Sequence, residues 1–175
     1  LEGTGARVVL VTSAGFEDVI EIGRQARPAL YDLSTNRPDP LVVRGDRVGH
    51  SDVDLTLEVL GDMEADAVAV GLLDSFRDPG DERELAAAIR KTHPGVPVSV
   101  ASELSPAFRE YERIATTVLN AYLTPEVAGY LARLDREVPA GQRLVMTSSG
   151  GLLPFASAAG YAGRLVLSGP AAGVV

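Results

Sequence analysis

At 175 residues, with 46% apolar and 23% charged side chains, the chain has the make-up of a globular domain rather than of a disordered or fibrous one. Its formal charge of −8 carries no clustered basic stripe, which excludes broad nucleic-acid or anionic-membrane binding. The absence of cysteine excludes a disulfide framework, a thiolate nucleophile and a cysteine metal site, and agrees with a reducing, cytoplasmic setting. The longest apolar run, 65–73, is far shorter than the roughly 20 residues that span a bilayer. One α/β domain over 1–175, or part of a domain of a larger enzyme, is expected; the opening LEGTGARVVLVT reads as neither a signal peptide nor an initiator segment, so both ends are expected to be cuts.

In chain order, RVVLVT (7–12) is a β-branched run ending at Ser13-Ala14-Gly15, a buried strand followed by a turn. FEDVIEIGRQ then spaces Phe16, Val19, Ile20 and Gly23 as a helix does, with Pro28 closing it. Prolines 38 and 40 and glycines 45 and 49 surround a short LVVR strand (41–44), which predicts an otherwise irregular surface connection over 34–52. Val53, Leu57, Leu60 and Met63 predict an amphipathic helix over 52–63. AVAVGLL (67–73) is apolar on both faces, as a central parallel strand is. Asp78-Pro79 opens a helix over 80–92, VPVSVA (96–101) is the next strand, and Ser105-Pro106 opens a further helix by the same chemistry. From Pro106 to Val138 the pattern is helical, with Pro125 expected to begin a second helix. RLVMTSSGG (143–151) and RLVLSGP (164–170) both read as strands running into glycine turns. The alternation of strand and helix implies layered helices around a mainly parallel sheet.

Ligands of open parallel sheets gather where strands end, so the exits at 12–15, 74–76, 148–151 and 168–171 are the first candidates. Gly150-Gly151 and the terminal SGPAAG would let a ligand approach the backbone, although both also read as plain tight turns and neither meets a P-loop or dinucleotide pattern. Asp74 is either a general base or metal ligand, or a turn carboxylate bonded to nearby amides. His50 and His93 have no ligand spacing, so no metal site is expected from them. In SPAFREYERIATTVLNAYL (105–123), Arg109, Glu110, Glu112 and Arg113 suit an ion-paired surface. Thr116, Thr117 and Asn120 suit a half-buried polar patch facing a substrate or a neighbouring domain.

Four blocks, VTSAGFEDVIEIGRQARPALYDL (11–33), SELSPAFREYERIATTVLNAYLTPEV (102–127), TSSGGL (147–152) and LSGPAAGVV (167–175), together resemble the hydantoinase A and 5-oxoprolinase family in collinear order. The resemblance implies a fragment of the larger subunit of an ATP-dependent enzyme that opens a cyclic amide such as a hydantoin, 5-oxoproline or related lactam. It also implies an actin-like, sugar-kinase-like (ribonuclease H-like) nucleotide-binding scaffold, with carboxylase subunits among the relatives. ATP and Mg²⁺ would serve the parent enzyme by phosphorylating the amide oxygen. The partners implied are a small cyclic amide and a companion hydantoinase B-like subunit or domain, with a homo-oligomer left open and no nucleic acid or membrane.

On this reading Asp74 is catalytic, and Glu112, Arg113, Thr117 and Asn120 are substrate-side or interdomain contacts. Gly150, Gly151, Ser168 and Gly169 are cofactor-side turns of close approach. The family's phosphate loops are expected upstream of Leu1 and downstream of Val175, so tight ATP binding by this piece alone is not expected. Three departures mark the chain: Asp74 stands where the family usually has histidine, Ser149 where it often has asparagine, and the 44–54 connection is short. A noncatalytic docking module of a hydrolase or carboxylase complex is the alternative.

Overall fold

The computed structural model describes residues 4–26, 29, 31–32, 34–35, 37–137, 141, 143–166 and 168–169. Strand β1 (Val8–Ser13) is followed by a single helical turn, α1 (Val19–Ile22). Gly23, at φ +55°, stops that turn early in a conformation that suits glycine, so the expected longer helix does not form. Beyond it the described residues are irregular up to Val43, so the expected LVVR strand does not form. The chain then makes a 3₁₀ turn at Arg44–Asp46 and delivers β2 (Arg47–His50), a strand inside the stretch expected to be irregular. β2 is anchored by a cation rather than by apolar alternation. The Arg47 side chain, 1% exposed, bonds Asp18 at 2.9 Å, Glu21 at 2.8 Å and the Val42 carbonyl at 3.1 Å.

Helix α2 (Val53–Gly61) begins at Asp52, whose carboxylate accepts from the Leu55 amide at 3.1 Å. Strand β3 (Ala67–Gly71), helix α3 (Gly80–Thr92) and strand β4 (Val98–Val100) follow as the pattern predicts. The Asp78 carboxylate accepts from the Gly80 amide at 3.1 Å at the head of α3. Ser105-Pro106 does not open a helix; it follows a short one, α4 (Ala101–Leu104). Helix α5 then runs unbroken from Glu110 to Glu137, straight through Pro125. An interior proline costs about 3 kcal/mol. Here Ile114, Val118, Ala121 and Tyr122 before it and Leu131 after it are buried, which holds both halves in one rod. β5 (Leu144–Met146) and β6 (Leu152–Pro154) pair antiparallel as a separate hairpin, and α6 (Phe155–Ala158) leads into a 3₁₀ segment, Ala159–Leu165. That segment occupies the start of the 164–170 stretch expected as a strand; residues 167 and 170 lie outside the described residues.

Among the described residues the main sheet has four parallel strands in the order β2-β1-β3-β4. Strand pleating sends Val8, Leu10, Ala67 and Ala69 to one face, against Ile114, Val118, Ala121 and Tyr122 of α5, with Val19 and Ile20 of α1 beside them. Val9, Val11, Val48, Val68 and Val70 face the other way, against Leu60 of α2 and Leu85 and Ile89 of α3. Fully burying each such aliphatic side chain contributes about 1.5–3 kcal/mol, so these two slabs dominate the stability. Helix α5 runs antiparallel to the strands. It passes Gly71 at Ile114 and reaches the start of β1 at Tyr122, whose carbonyl accepts from the Ala6 amide at 3.1 Å.

Candidate functional site

The chain leaves β1 toward the α5 face and moves to β2, on one side. It then crosses back over the opposite face, through α2, to β3, and steps on through α3 to β4. The neighbours β1 and β3 therefore send their outgoing loops to opposite faces. Between them lies the switch point at which open α/β sheets bind ligands. A polar cavity of about 250 Å³ opens there, lined by Ser13, His50, Ser51, Leu72, Leu73, Ser75, Asp78, Asp81 and Glu82. Ser13 and His50 are register partners at the ends of β1 and β2, so their side chains stand in one row on the α2/α3 face.

A buried polar network forms the floor. Glu82, fully buried, accepts from the Leu72 amide at 2.9 Å and the Ser75 hydroxyl at 2.7 Å through Oε1, and from the Ser102 amide at 2.7 Å through Oε2. One carboxylate thus ties together the ends of β3 and β4. Arg113, 1% exposed, stands 3.7 Å from Glu82, donates to the Ser75 hydroxyl and pairs with Glu110 at 2.9 Å. Phe76 covers the guanidinium, with 5.7 Å from its centre to the ring centroid. Charges this deep persist only when paired and hydrogen-bonded.

The residues nominated from sequence divide among several places. Asp74 is exposed beside the cavity rather than in its wall, at φ +56°, and its amide donates to Glu110 at 3.1 Å. Arg113 lies in the floor just described. Thr117 is buried and donates to the Arg113 carbonyl at 2.8 Å. Asn120, 2% exposed, donates to Ser99 at 2.9 Å and to the Gly160 carbonyl at 3.0 Å, and accepts from the Gly163 amide at 2.9 Å. It fastens the 3₁₀ segment and β4 to α5.

Glu112 lies apart, paired with Arg24. Its own backbone amide first, then Arg24, hold its carboxyl below the usual carboxylate range. Beside that pair is a larger open groove of about 690 Å³ lined by Arg24, Arg37, Asp39 and Tyr111 among others. It lies away from the strand ends, and the switch-point cavity is preferred for its position in the sheet. Gly150, at φ +85°, and Gly151 close the hairpin between β5 and β6. Their amides donate to the Thr147 carbonyl at 3.0 Å and to Thr147 Oγ1 at 3.1 Å. Ser168 and Gly169 follow the 3₁₀ segment, and residues 170–175 lie outside the described residues.

The cavity floor and the hairpin turn offer no phosphate cradle: Arg113 is buried against Ser75, Glu82 and Glu110, and the Gly150 and Gly151 amides are already donated. Among the described residues no group of three or more His, Asp or Glu side chains is placed to hold a metal ion. The cavity suits a small polar molecule without negative charge. Sequence reasoning marked the exits carrying Ser13 and Ser75 but missed His50 and Glu82. The position of Glu82 four residues after the capping Asp78 was the available signal, since that offset returns a first-turn carboxylate toward the preceding strand end.

Residues 1–93 match the family model described as the hydantoinase/oxoprolinase N-terminal region, and residues 113–175 match the model described as hydantoinase/oxoprolinase. The chain is 34% identical to an uncharacterized protein of Methanocaldococcus jannaschii, over 97% of this chain and 28% of that protein. It is 31% identical to 5-oxoprolinase 1 of Arabidopsis thaliana, over 100% of this chain and 16% of the relative. It is also 31% identical to the caprolactamase subunit alpha of Pseudomonas jessenii, over 98% of this chain and 28% of that subunit. The crystal structure of the ATP-dependent caprolactamase from Pseudomonas jessenii superposes with a TM-score of 0.76 at 30% identity, covering 93% of this chain and 28% of that one. The chain thus spans less than a third of the length of each of these relatives.

Proposed function

The chain belongs to the hydantoinase/oxoprolinase family, and from that premise we propose that it is part of the larger subunit of an ATP-dependent hydrolase that opens a small cyclic amide. The observation that carries this reading is the switch-point cavity, whose hydroxyl, imidazole and carboxylate wall suits a neutral ring and repels a triphosphate. ATP dependence, Mg²⁺ and the actin-like scaffold are proposed for the full-length protein, with the phosphates gripped by residues other than those described. A companion subunit is proposed because the caprolactamase relative is itself a subunit alpha. No helix among the described residues is long and apolar enough to cross a membrane, and a cytoplasmic location is proposed.

The test is ATP hydrolysis by the full-length protein with the neutral rings hydantoin and caprolactam, and with 5-oxoproline, whose carboxylate is ionised, as the anionic comparison. Stimulation of about tenfold or more over a linear amide, ~1.4 kcal/mol of barrier, is expected with at least one ring. No stimulation by any ring would remove the reading. In parallel, calorimetric titration of the 175-residue chain is expected to give no micromolar Mg-ATP binding.

Asp74 is proposed as a catalytic-side carboxylate at the rim of this cavity. Because its backbone sits at φ +56°, Asp74→Gly is expected to change stability by less than about 1 kcal/mol, whereas both Asp74→Gly and Asp74→Asn should depress ring-dependent turnover in the full-length protein. Unchanged turnover in both variants would leave Asp74 a turn residue.

A noncatalytic docking role is the second reading. It is favoured by the exposed apolar side chains of Tyr130 on α5 and of Leu144 and Leu152 on the hairpin. Capture of the companion subunit by a chain that supports no turnover when joined to its flanking residues would favour it.

A further inference from the structure

We infer that Ser13 and His50 form a recognition pair for the N–H and C=O of a cyclic amide, His50 Nε2 accepting and the Ser13 hydroxyl donating. This rests on the proposed cyclic-amide reading and names the atoms that would carry it.

Hydrogen-bond bookkeeping around His50 settles its tautomer. Thr56 Oγ1 lies 2.7 Å from the Asp52 carbonyl, a contact between two oxygens that is favourable only if the threonine proton sits between them. That proton is then spent. His50 Nδ1, 2.8 Å from the same Thr56 oxygen, must therefore carry the hydrogen of their bond. A neutral imidazole with its proton on Nδ1 has its lone pair on Nε2. Asp52 caps α2, so the chain Asp52, Thr56, His50 is held by the start of a helix and the end of a strand.

Ser13 is fixed in the complementary sense. Its oxygen accepts from the Leu73 amide at 3.1 Å, which leaves its hydroxyl proton as a donor. Ser13 and His50 are register partners on adjacent strands, and parallel strands lie roughly 4.8 Å apart. Hydrogen bonds of about 2.9 Å that diverge from the N–H and C=O of a lactam end on partner atoms up to about 5 Å apart, and both residues line the cavity. The other hydroxyl in the wall is not equivalent: Ser75 accepts from Arg113 and donates toward Glu82 or the Leu72 carbonyl. The carboxylates of Asp78, Asp81 and Glu82 on the α3 side set the ligand's charge class, neutral rather than anionic. Of the pair, Ser13 lies at a strand exit marked from the sequence, and His50 does not.

The experiment is histidine footprinting of the full-length protein with diethyl pyrocarbonate at about pH 8, where an ordinary imidazole is unprotonated, read by mass spectrometry. Hydantoin and 2-pyrrolidone, which carry a ring N–H, are expected to protect His50 and leave His93 as reactive as before. N-methyl-2-pyrrolidone, the same ring without the N–H, should protect neither. His50→Asn keeps a donor for Thr56 and removes the Nε2 acceptor. It should raise KM for the ring substrate about five- to tenfold, the loss of one neutral hydrogen bond, with unchanged melting. Absence of protection by both N–H rings overturns the inference, as does equal protection by the N-methylated ring. Ring-stimulated ATP hydrolysis with His50 unprotected would sink this inference and leave the proposed activity standing; protection without turnover would do the reverse.

Discussion

Arg113→Met is expected to destabilise the fold by about 3–5 kcal/mol, because it leaves the fully buried Glu82 without its cation. The methionine fills much of the same volume, so the loss reports charge rather than a cavity. The same substitution strips Glu110 of its 2.9 Å partner and Ser75 of a donor, which loosens the loop that follows β3. Denaturant unfolding of the single variant, of Glu82→Gln and of the double variant forms a cycle. The double variant should cost clearly less than the sum of the singles, since each single strands a charge that the pair together does not. A loss under about 1 kcal/mol for Arg113→Met would mean that the floor of the cavity is wetter and looser than described.

Asn120→Leu is expected to cost about 2–3 kcal/mol while leaving the substrate KM of the folded full-length protein unchanged. The leucine is close in size, but it abandons the Gly163 amide and the Gly160 carbonyl, and with them the tie between α5 and the 3₁₀ segment. Hydrogen exchange at Gly163 should quicken more than at the β1 and β3 amides. Sequence reasoning offered a substrate or a neighbouring domain as the partner of this patch, whereas the partners of Asn120 are Ser99, Gly160 and Gly163 of this chain. A raised KM with native melting would restore Asn120 to the substrate side.

The outcome at Asn120 illustrates what the sequence could disclose. The polarity of Thr116, Thr117 and Asn120 announced a patch that must be hydrogen-bonded to something; Thr116 is in fact exposed, and the buried polar stripe of α5 is Thr117, Asn120, Thr124 and Arg113, the last expected on an ion-paired surface. The partners, Ser99, Ser75, Gly160 and Gly163, are distant along the chain and carry no reciprocal signature. β1, β3 and α3 were legible because their burial is written in apolar periodicity. β2 was not, because Val48 is its one large apolar residue and Arg47, an ostensibly surface side chain, is what fixes it. Pro125 signalled a break because proline is costly inside an isolated helix, and packing along the rod outweighed that cost. At the site, the rule that ligands sit at strand ends located Ser13 and Ser75. His50 was hidden by neighbouring glycines that read as loop, and the threonine that fixes its tautomer sits on the following helix.

The unbroken rod has a mechanical consequence. By Tyr122 it has already reached the starting end of β1, so residues 126–137 overhang the sheet by about 18 Å at 1.5 Å per residue. A tilt of about 10° about the end bearing Arg113 would carry the far tip, about 36 Å away at 1.5 Å per residue, through about 6 Å. The spar that floors the cavity would thereby act as a lever, carrying any small rearrangement at its Arg113 end to the opposite side of the molecule.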